Sequence, residues 1–293
     1  MNSLFRYHVI CMGLIGLMLI QSPLLMAHSD TLLKARNCYD AGTYDKVIEL
    51  LESIPKEGRN IAQYWMLLGD ALQKQSRFDE AIHAYNEAQR YEKSSMLFTH
   101  RGSAKIWSGD TKGAQKDLQM ALELEPSNFL AHYYTGVLHY QSFRSRQAIQ
   151  WLDRSISYNA KCAPAHFLRG AAYAELQQKK EALADMETAF GLDSTLLSAR
   201  FNVGVLKFDL HDYEGAREEF SALEKTTFEN KADLFYFRAE CNHQLKDKHA
   251  ACIDFEQAAK LGDEVAATIY DKHCLKGVNR KELPSRQTQS IKL

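Results

Sequence analysis

The chain has 293 residues, of which 45% are hydrophobic and 25% charged, and its formal net charge is −1. This composition excludes a low-complexity or collagen-like polymer and gives a globular class with room for one or two domains. Near-neutral charge with no long basic run argues against a phosphate backbone as partner, so no nucleic acid is expected.

In chain order, residues 1–27 stand apart. They carry one charge, Arg6, and no acid, then the apolar run Val9–Ile20, then a stretch ending at Ala27. A basic start, a short apolar core and a small residue before a polar chain predict a secretory signal peptide. Leu25 is an imperfect residue three places before the cut. The alternative is an uncleaved membrane anchor, although Gln21, Ser22 and Pro23 interrupt a spanning helix. On either reading the chain is exported, periplasmic or secreted, and touches a membrane only through an uncleaved N-terminus.

From His28 onward the sequence repeats. Gly69, Gly102, Gly136, Gly170 and Gly204 are separated by 33, 34, 34 and 34 residues. Twelve residues after each glycine stands an alanine: Ala81, Ala114, Ala148, Ala182, Ala216. Four further on is a large apolar residue: Tyr85, Leu118, Leu152, Met186, Phe220. Weaker copies flank these, with Ala35 and Ala239 in the glycine position. Seven repeats therefore begin near His28, Ala62, Ser95, Phe129, Ala163, Leu197 and Ala232. In each, apolar residues recur three and four apart and a short turn splits the segment, which predicts two helices. A glycine costs a helix about 1 kcal/mol relative to alanine. It is expected where the alanine of the second helix approaches and the backbones pack closely. One repeat cannot bury its own apolar face, so the stack should be continuous and need an end cap. Glu264–Gly277 fits a capping helix ended by Gly277, and residues 278–293 read as a polar, disordered tail.

The pattern resembles the tetratricopeptide repeat. Trp65, Leu68, Gly69, Ala81, Tyr85 and Ala88 match its motif in the second repeat. Gly170 and Tyr173 do so in the fifth, and Ala114, Ala121 and Pro126 in the third. Arg101 and Arg169 stand where leucine is usual, and most repeats lack the proline. The resemblance implies an all-α fold over residues 28–277, a right-handed α-solenoid of about seven helix pairs plus the cap. It also implies a concave face lined by the first helices. Positions three before, one after, and four or five after the glycine would face it. These are Ile106, Trp107, Tyr133, Val137, Tyr140, Phe167, Ala171, Phe201, Val205, Phe208 and Tyr236. Such an apolar, aromatic face suits a peptide or a helix of a partner protein, although single rings could instead pack between helices. Chaperone-binding members grip a terminal carboxylate with Lys and Asn. The residue after each glycine or its alanine substitute is here Arg36, Asp70, Ser103, Val137, Ala171, Val205 or Glu240, with no Asn, which disfavours that mode.

Five cysteines follow the N-terminal segment: Cys38, Cys162, Cys241, Cys252 and Cys274. Cys38 takes a motif tyrosine position and is expected as a buried thiol. Cys252 and Cys274 fall on the last second helix and the cap, which makes them the candidate disulfide; two adjacent buried thiols are the alternative. His243, His249 and His273 gather near them in spacings that match no zinc set. His132 and His139 fall at packing positions. No nucleophile, phosphate-loop or metalloprotease motif is present. The reading is a non-enzymatic scaffold without metal or cofactor that binds a partner protein in its groove. The alternative is a structural subunit of a membrane-anchored envelope assembly. N-terminal sequencing of the exported protein separates them: a chain starting at His28 supports the first, and one retaining Met1 supports the second.

Overall fold

In the computed structural model the described residues are 29–275. The signal or anchor segment, Gly277 and the polar tail lie outside them, and the last described helix stops at His273 with Cys274 as its C-cap, short of the expected end at Gly277. Among the described residues there is no strand, and no helix is long and apolar enough to cross a membrane. Helices alternate with short turns: α1 (29–40), α2 (Tyr44–Glu52), a 3-10 turn (Lys56–Arg59), α3 (Ala62–Lys74), α4 (Phe78–Gln89), α5 (Ser95–Ser108), α6 (Thr111–Leu124) and α7 (Phe129–Gln141). There follow α8 (Ser145–Tyr158), α9 (Ala163–Glu175), α10 (Lys179–Leu192), α11 (Leu197–Asp209), α12 (Tyr213–Glu224), α13 (Lys231–Gln244), α14 (Lys248–Lys260) and α15 (Glu264–His273). The fold is an all-α array of helix pairs, the α-solenoid class. It divides into two compact units within α7, one ending at Tyr134 and the other beginning at Thr135.

Local chemistry sets the helix ends. Asp110, Asp212 and Asp247 each cap a second helix, accepting from the amides of Gly113, Gly215 and Ala250 at 2.9–3.0 Å. Lys231 closes the other end of α12, donating to the carbonyls of Leu223, Glu224 and Thr226 at 3.0, 2.6 and 3.0 Å. Every turn inside a pair passes through a left-handed residue: Gly42, Ser76, Gly109, Phe143, Gln177, His211 and Lys246.

The glycine comb works as a set of sockets. A Cβ added at Gly69 would lie 2.5 Å from the Tyr85 ring, at Gly136 2.8 Å from Leu152, and at Gly204 2.7 Å from Phe220. At Gly102 the distance to Leu118 is 3.0 Å. The occupant is therefore the large residue sixteen places on, where the sequence suggested the alanine twelve places on. The alanine contributes its carbonyl instead, 3.5 Å away at Ala114 and 3.2 Å at Ala182. The physical reason is economy of volume: a ring or branched chain fills the space between helices that a methyl would leave empty.

In the C-terminal unit α15 caps the array. Ala266 and Ile269 are buried with Tyr236, Ala251 and Phe255, and a disulfide joins Cys252 on α14 to Cys274 just past α15. Cys38 is only half-buried, which corrects the expected buried thiol. Cys162 and Cys241 are buried, and burial raises both thiols, Cys241 to about 12.

The socket contacts rank the glycines. Gly69→Ala is expected to cost about 1–3 kcal/mol, because its Cβ would meet a fixed ring at 2.5 Å. Gly170→Ala should cost less, since its nearest neighbours lie at 3.2 Å. Urea unfolding of both variants checks the order, and equal midpoints would contradict it.

Candidate functional site

The first helices of the N-terminal unit carry stripes at helical spacing. Leu32, Leu33, Arg36 and Tyr39 lie on α1, Gln63, Met66, Leu67 and Asp70 on α3, and Met96, Leu97 and His100 on α5. Together they bound an open trough of about 700 Å³. A second recess of about 400 Å³ shares Tyr39, Asp70 and His100 with it and continues to Gln73, Ser103, Trp107 and Tyr134. The upper rim is apolar and wet: Leu33 is 60%, Met96 56% and Trp107 54% exposed.

The floor is polar and closely bonded. Tyr85 rises from α4 through the socket at Gly69. Its hydroxyl lies 2.8 Å from Asp70 Oδ1 and 3.1 Å from Gln73 Oε1. His100 Nδ1 is 2.6 Å from the same Asp70 oxygen. Gln73 Nε2 donates to Ser103 Oγ at 2.6 Å, and Ser103 Oγ donates to the His100 carbonyl at 3.0 Å. Burial, with the Asp70 charge, pushes the Tyr85 phenol far above its ordinary value and Tyr39 up to about 12. Both phenols are therefore neutral hydrogen-bonding groups at any physiological pH. Ser103 is held as a hydrogen-bond relay with its proton directed at a backbone carbonyl. The arrangement offers a fixed acceptor and an imidazole at the base of an apolar channel, a geometry for orienting a bound chain.

The residues anticipated from the repeat pattern fall in two groups. Trp107 lines the recess, and Tyr133, Phe167 and Phe208 are half-buried. Ile106, Val137, Tyr140, Ala171, Phe201, Val205 and Tyr236 are buried, which corrects their assignment to an exposed face. In the C-terminal unit Phe201 stacks on Phe228 at 5.1 Å and meets Phe237 edge-on at 5.9 Å. Tyr236 packs on Phe255 at 6.0 Å. The tyrosine hydroxyl of Tyr140 is engaged by Glu175, which also takes the Ser145 hydroxyl. Where α11 lies against α13, positions three before and one after the glycine meet the next first helix, so large residues there join helices. His132 is buried with Nε2 2.9 Å from the Pro126 carbonyl, and His139 stacks on Trp151. No cluster of three metal-ligating side chains occurs among the described residues.

Sequence reading missed the floor and a set of arginine clamps. Arg101, Arg169 and Arg238 each grip an aspartate sixteen residues on, Asp117, Asp185 and Asp254, through two nitrogens at 2.6–2.9 Å. A third nitrogen reaches the preceding second helix, at Asn86 and Asp153 (both 2.7 Å) and at Glu224. Bonding to Asp185 raises the Arg169 guanidinium above its ordinary value. Burial lifts the Asp254 carboxyl despite Arg238 beside it. The signal was present in the sequence: an arginine directly before the glycine position in alternate repeats, with an aspartate at a constant offset.

Comparison with known proteins agrees with this architecture. Three tetratricopeptide repeat models match residues 62–95, 101–164 and 163–196. The chain is 26% identical over 245 residues to the Hsp70-Hsp90 organizing protein of Triticum aestivum, covering 80% of this chain and 39% of that one. It is 21% identical over 206 residues to anaphase-promoting complex subunit 3 of Schizosaccharomyces pombe, covering 70% of this chain and 31% of that one. It thus spans well under half the length of these curated relatives. Among solved structures it is similar to Pseudomonas aeruginosa pilF, with a TM-score of 0.62 at 15% identity, covering 72% of this chain and 95% of that one. It is also similar to a chain of the APC/C assembly Cut9–Hcn1, with a TM-score of 0.65 at 14% identity, covering 82% and 48%.

The floor makes a direct prediction. Tyr85→Phe keeps the ring in its socket and removes the hydroxyl, at a cost of about 1–2 kcal/mol in urea unfolding. Adding Asp70→Asn to it should cost less than the same change made in the wild type, because the Tyr85 contact is already gone and only the His100 contact is left to lose. Fully additive losses would show that the two side chains act independently.

Proposed function

The chain belongs to the tetratricopeptide-repeat family, and from that premise we propose that it is a non-enzymatic scaffold that holds a segment of a partner protein in the trough of its N-terminal unit. The observation that carries this is the contrast between rim and floor. Leu33, Met96 and Trp107 leave apolar surface in water, while Asp70, Tyr85, His100 and Gln73 are ordered beneath them before anything binds. Burying two or three such side chains supplies several kcal/mol at about 1.5–3 each, and the floor fixes register at little cost because it is already organised.

The chemistry of the floor narrows the partner. Asp70 occupies the position directly after the glycine, so a terminal carboxylate would meet an anion there and be repelled. An internal segment with apolar side chains, and a donor such as an amide or a cationic group over Asp70, is the better fit. Two curated relatives are named for organizing chaperones and for a multisubunit complex, which accords with a protein partner. We carry forward export through the N-terminal segment as part of the same reading. Tyr140, Phe201 and Tyr236 of the C-terminal unit are assigned to its core, which moves the groove from the wider set expected from the repeat pattern to Leu33, Met66, Asp70, Met96, His100 and Trp107.

Selection of peptides from a displayed library against the full chain tests this reading. Selected peptides should carry two apolar anchors, and Met96→Asp and Trp107→Ala should each weaken them about tenfold or more. Phe167→Ala, in the other unit, should leave them unchanged. Peptides indifferent to Met96 and Trp107 would place the binding surface elsewhere.

A further inference from the structure

The seven left-handed turn residues form a comparison internal to the chain. Their φ values are +74° at Gly42, +59° at Ser76, +88° at Gly109, +56° at Phe143, +61° at Gln177, +66° at His211 and +68° at Lys246. Six are glycine or polar. Phe143 alone is apolar, although a bulky side chain is the poorest choice for this backbone region. It is also 90% exposed, against 63% for Leu275, the next among the exposed large hydrophobics. Two unfavourable choices coincide at one residue, which points to a use for the exposed ring. The turn presents it on a fixed backbone: the Phe143 amide donates to the Tyr140 carbonyl at 2.9 Å and that of Arg144 to His139 at 3.0 Å.

The exposed charge on the turn itself is positive, and the carboxylate that reaches it, Glu175, is tied down behind it by the Ser145 and Tyr140 hydroxyls. Arg144 and Arg146 are exposed beside the ring, and residues 126–152 contain no Asp or Glu. Asp153, the next acid along the chain, is engaged by Arg169 at 2.7 Å. Gln141, Ser142 and Gln147 around the tip are exposed and polar. Phe143 therefore lacks the apolar collar that seals a hot spot against another protein. An exposed ring followed in the chain by two exposed cations matches an interface that needs no shaped pocket, where the ring enters the acyl boundary and the guanidinium groups meet anionic headgroups.

We propose that the α7–α8 turn is a docking point for an anionic lipid surface, with Phe143 as the inserted group and Arg144 and Arg146 as headgroup contacts. One ring and two charges give weak, salt-sensitive attachment, so the turn orients the protein on a membrane. This is independent of the trough on the N-terminal unit.

Flotation of the full chain with vesicles of phosphatidylglycerol and phosphatidylcholine, and of phosphatidylcholine alone, tests it, the N-terminal segment being common to every variant. Phe143→Asn is the key variant, because asparagine tolerates the left-handed region and should keep or raise the melting temperature. It should weaken binding to the anionic vesicles about tenfold or more, and Arg144→Gln with Arg146→Gln should do likewise. In Phe143→Trp, fluorescence in excess of wild type should be quenched by lipids brominated on the acyl chains. A gain in binding on adding phosphatidylglycerol that is absent from wild type or undiminished in Phe143→Asn, or an unquenched Trp at 143, would each overturn the proposal, the last pointing to a protein contact at this turn.

Discussion

A missing side chain organises this molecule. At four first-helix glycines, Gly69, Gly102, Gly136 and Gly204, the second helix sends a large residue into the space a Cβ would occupy, as Tyr85 does at Gly69 and Phe220 at Gly204. The intrinsic cost of glycine in a helix, about 1 kcal/mol, is offset by full burial of a ring or branched chain worth about 1.5–3 kcal/mol. At Gly69 the consequence reaches the candidate site. Only because the ring passes so close to α3 does the Tyr85 hydroxyl arrive at Asp70 and Gln73. The packing rule that builds the repeat thus also sets the floor of the trough.

Two further devices supplement the sockets. The arginine clamps tie a first helix to its own second helix and to the one before, in alternate repeats. Such buried pairs contribute little net energy compared with apolar replacements, but they are intolerant of losing one partner. Their effect is to fix register, which matters in an array whose stability is a sum of neighbour contacts. The left-handed turns fix the crossing between paired helices and use polar residues or glycine everywhere except at Phe143. The C-terminal end is closed differently, by α15 over Phe255 and by the Cys252–Cys274 bond.

The periodic part of this architecture was readable from sequence because it is written in volume. Glycine, alanine and a large apolar residue at constant offsets leave few alternatives to paired helices. Directionality was harder to read. The pattern shows that Phe201 and Tyr236 lie on the first helix, but not that they meet the following first helix rather than solvent, since a ring fits either place by composition alone. The occupant of the glycine socket was misassigned for a related reason: the constant alanine is more conspicuous in the sequence than the varied residue beyond it. In the sequence Asp70 and Ser103 stand out only as positions that lack asparagine. Their partners, Tyr85, His100 and Gln73, lie on three different helices, and sequence spacing does not bring them together. In the sequence Arg101 and Arg169 are departures from leucine, and only the Asp117 and Asp185 contacts give them a purpose.

Repeat packing and the floor of the trough both depend on the ring of Tyr85 occupying the space that glycine leaves at position 69. A double-mutant cycle with Gly69→Ala and Tyr85→Ala, read by urea unfolding, measures that contact directly. If the ring fills that space, the alanine methyl at 69 is damaging beside tyrosine and close to neutral, or stabilising through helix propensity, once the ring is gone, giving a coupling of about 1 kcal/mol or more. A cost at position 69 that is the same with and without the ring would contradict it.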